Sequence, residues 1–257
     1  MTYDTILKAA REQSAIDLNC AAEDFCSGEN KTVLSAHHDN ARRYLQLPFF
    51  CQLVSYGSNV VASASAEFLP TVRAHTERYG AVRCFETPAI LRLNRELLQY
   101  DHTVCFMAAY YLPVPDDLRP LGYDTGTYEL RVMEKDDFAP YYSPAFGNAI
   151  CAEHSERDVL AVGAFDGDRL IGLAGASADC DAMWQIGVDV LPDYRRQGVA
   201  AAVTSRLACE IMARDKIPFY CAAWSNVRSA RNALRCGFRP AWVELTAKPV
   251  DFVEKLM

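Results

Sequence analysis

The sequence predicts an α/β (α+β) chain in which short strands alternate with amphipathic helices. Three observations carry this. Apolar runs of strand length, such as Phe49 to Val54 and Met183 to Val190, are separated by segments with helical spacing. Val199, Val203, Leu207 and Ile211 recur at every fourth position and form one apolar stripe. Asp166-Gly167 joins two apolar runs as a hairpin turn, which demands antiparallel pairing. With 257 residues and 51% of them apolar, the chain can bury a full core as one large domain or two small ones. Pro113, Pro115, Pro120, Gly122 and Gly126 mark a linker, so the reading places a smaller N-terminal α/β domain at 1–122 and a second domain at 123–257.

Taken in order, Thr2 to Asp17 has helical spacing through Ile6, Leu7, Ala10 and Ile16. Leu18 to Asn30 reads as a loop with room for one helical turn. Phe49 to Val54 is a buried strand, Ser55 to Asn59 a turn, and Val60 to Ala64 a resumed strand. Glu67 to Tyr79 is a helix stopped by Gly80, Val82 to Phe85 a short strand, Pro88 to Tyr100 a helix, and Thr103 to Leu112 a strand. Past the linker come a strand (Thr127 to Met133), two helical pieces (Asp136 to His154), and the hairpin of Val159 to Phe165 with Arg169 to Ala176. Then follow the strand Met183 to Val190, the helix Gly198 to Ala213, the strand Ile217 to Trp224, the helix Ser229 to Cys236 and the strand Ala241 to Thr246. The tail from Pro249 is compatible with a last short strand. The first half repeats the strand-helix-strand-helix-strand order of the second, which suggests a degenerate copy of one unit.

Net charge is −7, which argues against nucleic acid as a partner and suits a small cationic acceptor such as an amine. No apolar run reaches membrane-spanning length, and the charged N-terminal segment reads as a surface helix. The ten cysteines are scattered, with no Cys-x-x-Cys pair, as expected of reduced thiols in a cytoplasmic protein. Cys20, Cys26, His37 and His38 fit no familiar ligand spacing, so no metal is expected. Nothing in the sequence sets an oligomeric state.

The most informative stretch is Trp184 to Ala213, a strand, a short turn and then a helix opened by Arg195-Arg196-Gln197-Gly198-Val199-Ala200. The first-turn N–H groups of a helix have no intrahelical partner and converge at its start. With basic residues beside them they form a cradle for an anion such as a pyrophosphate. The run from Val190 through Pro192, Tyr194, Arg195, Gly198 and Ala200, followed by Asn226-x-x-Ser229 and Cys236-Gly237-Phe238, resembles the GNAT acyltransferase superfamily. The likeness covers about the second half of the chain. It implies a GNAT fold for 123–257, with a mixed, mostly antiparallel central sheet flanked by helices. The first half has no counterpart of Arg195 to Ala200, so any such fold there is expected to have lost the cofactor site.

The resemblance implies acetyl-CoA as cosubstrate, with its pyrophosphate on Arg195, Arg196, Gln197, Gly198, Val199 and Ala200. It also implies that the strand Ile186 to Val190 diverges from Phe219 to Ala223, so that backbone groups of Val188, Asp189 and Val190 meet the pantetheine arm. The Val188 N–H would serve as oxyanion donor. Asn226 and Ser229 are expected as cap and first turn of the last helix and close to the pantetheine, with Asn232 a weaker candidate. The glutamate base of some family members is absent, since Trp184 and Gln185 stand there. Asp181 and Glu153, with Asp179 and His154, are the remaining candidates, acting through water, although each reads better as a solvated surface residue. The tyrosine that often meets the leaving thiolate is replaced by Ala233. These residues imply an N-acetyltransferase acting on a primary amine of a small molecule. The alternatives are a CoA-binding sensor with weak turnover, and a protein-lysine acetyltransferase.

Overall fold

The structure, a computed structural model, describes residues 1–256. The chain forms two compact units, one of Met1–Ile6 with Tyr111–Pro240, the other of Leu7–Tyr110 with the residues from Ala241 on. The sequence reading cuts the chain once, after residue 122, whereas these units exchange chain inside the first helix, α1 (Tyr3–Leu18), and inside two strands, β4 (His102–Pro113) and β10 (Phe238–Pro249), each strand of 12 residues. That is about twice the usual strand length, and nothing in the local sequence marks a boundary in mid-strand.

The unit of 111–240 contains β5 (Glu129–Met133), α4 (Lys135–Phe138), β6 (Asp158–Asp166), β7 (Arg169–Ser177), β8 (Met183–Val190), α5 (Val199–Met212), β9 (Ile217–Ala223) and α6 (Val227–Arg235). Its strands lie in the order β9-β8-β7-β6-β5. The pairs β5/β6, β6/β7 and β7/β8 are antiparallel and β8/β9 is parallel. This is the mixed, mostly antiparallel sheet that the sequence predicts, and Gly167 makes the hairpin turn at φ 59°. Helix α5 packs on β6, β7 and β8 through its apolar stripe, with Val199, Val203, Leu207 and Ile211 all buried. Gly172 brings the helix close, because a Cβ there would lie 2.6 Å from Val199 Cγ1. Leu173 and Gly175 alternate to the other face, where Phe138, Phe146, Ile150 and Phe165 form a second apolar layer.

The other unit holds most of α1 (Tyr3–Leu18), then β1 (Lys31–Leu34), β2 (Cys51–Ser55), β3 (Val61–Ala64), α2 (Leu69–Arg83) and α3 (Thr87–Leu97), and ends in α7 (Val250–Glu254). Its strand order is β1-β3-β2-β10-β4, with β1/β3 parallel and β2/β3 and β2/β10 antiparallel. Leu53, Ala62, Phe68, Val72, Leu93, Leu97 and Leu245 make its core. Three elements differ from expectation. Gly80 breaks α2 at φ 65°, but the chain re-enters the helix, and Phe85 N–H bonds back to the Val82 carbonyl at 3.2 Å. Val82 to Phe85 is therefore no strand, and Val82 is 74% exposed. Lys31–Leu34, half polar and short, is a strand that hydrophobic patterning does not reveal. The tail after Pro249 is the helix α7, because Pro at the strand end opens a first turn better than it continues a ladder.

This second unit also encloses a charged cluster. The Arg42 side chain is 1% exposed and reaches Asp17 Oδ2 at 2.5 Å and Glu244 Oε1 at 2.6 Å. Its Nη1 donates to the Tyr44 hydroxyl at 2.7 Å, and Trp242 Nε1 donates to Glu244 Oε1 at 2.7 Å. Burial by itself would lower the Arg42 pKa, but Asp17 and Glu244 outweigh it and hold the guanidinium charged. Burial also pushes the thiols of Cys84 and Cys236 up to about 12, which leaves both unreactive near neutral pH.

Candidate active site

All the residues singled out for cofactor and catalysis lie in the unit of 111–240. Its central feature is a fork. The pairing of β8 with β9 runs from Met183↔Ile217 to Ile186↔Tyr220 and stops there, while β7 stays paired with β8 as far as Val190. Gly187 to Val190 thus keep a neighbour on one edge only. Which groups face the open edge follows from alternation. Leu191 N–H donates to the Ile171 carbonyl on the β7 side, at 2.9 Å. Counting back, the N–H and C=O groups of Val188 and Val190 point to the side that β9 has left. Arg195 Nε donates to the Val190 carbonyl at 3.0 Å, which leaves Val188 with both groups on that edge.

The start of α5 stands beyond the end of this strand. Pro192–Tyr194 form one 3₁₀ turn, Arg196 takes φ 64° and Gly198 takes φ 85° as N-cap. No side chain caps the helix, so the N–H groups of its first turn, from Val199 and Ala200 onward, have no partner within it. Arg195 and Arg196 are exposed, Gln197, Gly198 and Ala200 are half-buried, and Val199 is buried. Gly198 is needed for two reasons. Its backbone is left-handed, and a Cβ would stand 2.5 Å from Asp124 N. The close approach to Gly198 therefore comes from the Tyr123–Asp124 backbone, which is bound here by Asp124 N–H to the Gln197 carbonyl at 2.9 Å. Asp124 also accepts from Arg235 Nη1 at 2.8 Å, and that guanidinium holds its carboxyl below the usual range. The acidic group beside the helix start is thereby neutralised.

Asp189 has a different task from its neighbours. Its carboxylate accepts from the Asn148 and Ala149 backbone N–H groups at 2.8 and 3.0 Å and from Asn148 Nδ2 at 2.7 Å. The loop it holds lies directly on the sheet, in a slot made by Gly175 and Gly187, which face each other in register. A Cβ on Gly187 would stand 1.8 Å from the Asn148 carbonyl oxygen. Gly187→Ala is accordingly expected to lower the melting temperature by several degrees. Overpacking costs about 1–3 kcal/mol, and each kcal/mol shifts Tm by about 2–4 °C at this size. An unchanged calorimetric Tm would mean that the loop yields freely.

The candidate bases are spread apart. Glu153 and His154 are exposed on a 3₁₀ turn. Asp181 is exposed at a turn, its carbonyl accepting from Lys216 Nζ at 2.8 Å. Asp179 is buried and accepts from Ser177 Oγ at 2.9 Å. Sequence reasoning missed Asp158, whose pKa is raised by burial although Cys151 N–H and the Tyr142 hydroxyl donate to it. Asp158 pairs with Ser177, which pairs with Gln185, so it stands two strands over and three residues down from Val188. That is roughly 14 Å away, too far for a base that must act directly or through one water. Asp158 anchors the Cys151 segment.

Asn226 and Ser229 behave as expected of a helix start, with Ser229 N–H donating to Asn226 Oδ1 at 3.2 Å. Asn232 Nδ2 donates to Thr204 Oγ1 at 3.1 Å, and Ala233 is fully buried. Tyr220 is the second residue that motif reading passed over. It is the last β9 residue paired with β8, and its hydroxyl meets Ser229 Oγ at 2.9 Å. Its burial raises the phenol pKa, so the hydroxyl stays protonated. No motif spacing marks it, since it belongs to a plain apolar strand.

Residues 127–238 match the family model described as Acetyltransferase (GNAT) family. No curated protein matches the chain. Among solved structures, a GNAT-family acetyltransferase from Novosphingobium aromaticivorans is 18% identical over 57% of this chain and 66% of its own, with TM-score 0.44. A GCN5-related N-acetyltransferase from Kribbella flavida is 17% identical over 60% of this chain and 63% of its own, with TM-score 0.45. A Drosophila protein is 11% identical over 97% of this chain and 91% of its own, with TM-score 0.48. The chain thus spans 66% and 63% of the first two. The segment from 127 to 238, which contains the forked strand pair and the uncapped helix start, belongs to the GNAT acetyltransferase family.

Proposed function

We propose that the unit of 111–240 binds acetyl-CoA and transfers its acetyl group to a primary amine of a small molecule. The observation that carries this is the open β8 edge after Ile186, leading to a helix start without a side-chain cap. Such an edge offers backbone groups to an amide-bearing arm, and such a helix start offers converging N–H groups to a pyrophosphate. When bound, acetyl-CoA supplies an activated thioester carbonyl. The chain's own residues then have separable tasks. Val188 N–H, fixed on the open edge by the β7 pairing, donates to the carbonyl oxygen as negative charge develops on it. Arg195 and Arg196 add positive charge beside the helix start. Asp189 and the Asn148–Ala149 loop keep β8 rigid next to the reacting centre.

Ala233 leaves no phenol at the position where the family often has one. Tyr220 is the last β9 residue in register with β8, opposite Ile186, and its hydroxyl is held by Ser229. On this reading Tyr220 gives its proton to the departing thiolate. On the same reading the amine loses its proton to solvent. The test incubates the protein with acetyl-CoA and pooled primary amines and follows free thiol. Amine-dependent thiol release is expected, slowed about tenfold or more in kcat by Tyr220→Phe with the KM for acetyl-CoA little changed. Saturable acetyl-CoA binding without amine-dependent release would replace this reading with a CoA-binding protein that does not turn over.

A further inference from the structure

The other unit contains a cavity with a positive charge that, among the described residues, no carboxylate pairs with. Strand β10 ends at Pro249, and α7 turns back so that Phe252 stands near Lys248. Lys248 Nζ lies 4.5 Å from the centroid of the Phe49 ring and 5.6 Å from that of Phe252. Among the described residues its hydrogen-bond partner is Gln46 Oε1, at a long 3.4 Å. Among the described residues no carboxylate lies within 4 Å of it, and Asp251, which also lines the cavity, is paired with Lys255 at 3.5 Å. An ammonium beside two aromatic rings gains cation–π attraction and keeps two donors available to a ligand. Partial burial lowers its pKa, which is the cost of a charge without a counter-ion.

The space beside it has a volume of about 410 Å³, within the range of roughly 300–1,000 Å³ found for small-molecule pockets. One wall is flat. Phe50 and His102 stack with ring centroids 4.0 Å apart and planes 16° apart. His102 Nδ1 lies 2.7 Å from the Tyr100 carbonyl and therefore carries the proton, so Nε2 is the ring's remaining polar atom. The cavity thus combines a half-buried cation, the Asp251–Lys255 ion pair and aromatic side chains.

We propose that this cavity binds a small aromatic monocarboxylate, its carboxylate on Lys248 and its ring against the Phe50–His102 wall. An anion supplies a counter-charge that none of the described residues gives Lys248, and an aromatic body matches the aromatic lining. A phosphate would gain the charge and lose the aromatic surface. A neutral arene would do the reverse. Burial of the lysine stem on Phe49 for stability alone would account for the cation–π contact, but it makes no use of the adjoining space.

This inference is independent of the proposed acyl transfer. The test titrates the full chain with benzoate and phenylacetate by calorimetry near pH 7, with inorganic phosphate and benzyl alcohol as charge-only and ring-only probes. Saturable one-to-one binding of a carboxylate probe is expected, at least tenfold tighter than phosphate or benzyl alcohol. Lys248→Met, which keeps an unbranched apolar stem, is expected to weaken it tenfold or more. Lys248→Arg, which keeps the charge, should retain most of the affinity and guards against a folding artefact. Absence of saturable binding of both carboxylates to the unaltered chain overturns the proposal. Equal affinity for Lys248→Met overturns it too, as does phosphate or benzyl alcohol binding as tightly.

Discussion

Gly198→Glu is expected to weaken acetyl-CoA binding at least a hundredfold, about 2.7 kcal/mol. Two causes contribute, and they must be separated. The first is the electrostatic one on which the proposed site rests, a carboxylate placed where a pyrophosphate is to sit. The second is local, because Gly198 has φ 85° and a Cβ would fall 2.5 Å from Asp124 N. Strain at that position costs about 1–3 kcal/mol without any ligand. Ala200→Glu separates the causes, since residue 200 lies inside the helix with ordinary geometry and is half-buried. A glutamate in the first turn of α5 favours the helix dipole by about 0.3–1 kcal/mol. The fold should hold or gain slightly, while acetyl-CoA affinity falls tenfold or more. Calorimetric titration beside thermal melts would show it. An unchanged affinity in Ala200→Glu would remove the helix start from the binding site.

Arg42→Met is expected to destabilise the unit that encloses it by about 3–5 kcal/mol. The substitution keeps most of the volume and removes the cation that bridges Asp17 and Glu244, two carboxylates that are almost wholly buried. Urea unfolding measures the loss. A loss below about 1 kcal/mol would mean that the two buried carboxylates tolerate removal of their partner, against the cost expected for breaking a buried ion pair.

Much of the architecture was legible because each element announces itself over its own length. The stripe of Val199, Val203, Leu207 and Ile211 needs no partner to be read, and Asp166-Gly167 states its own turn. What was not legible depends on residues far apart in the chain. Lys31–Leu34 is a strand only because Val61–Ala64 lies beside it. Val82 to Phe85 has strand-like composition, but turn bonds from Gly80 onward hold it in a helix end. The same division holds for the candidate site. Arg195 to Ala200 could be singled out as a local motif. Asp189 could not be recognised as the clamp on Asn148, nor Tyr220 as the phenol at the fork, because each role is a meeting of distant segments. Gly187 shows the limit best, since only its contact with Asn148 explains it.

The mid-strand exchange at β10 has a consequence for how the chain is made. In the unit of 7–110 the order is β2-β10-β4, so the strand between two early ones is among the last synthesised. At about 5–20 residues per second, β2 and β4 must wait several seconds on the ribosome while residues 111–240 are produced. During that interval both present an unpaired edge, and Glu244 has not yet arrived to join Asp17 at the Arg42 guanidinium. Unpaired edges invite strands from other chains. Nascent chains stalled before Ala241 should therefore carry an open slot one strand wide, and a chaperone that masks strand edges would act in that interval.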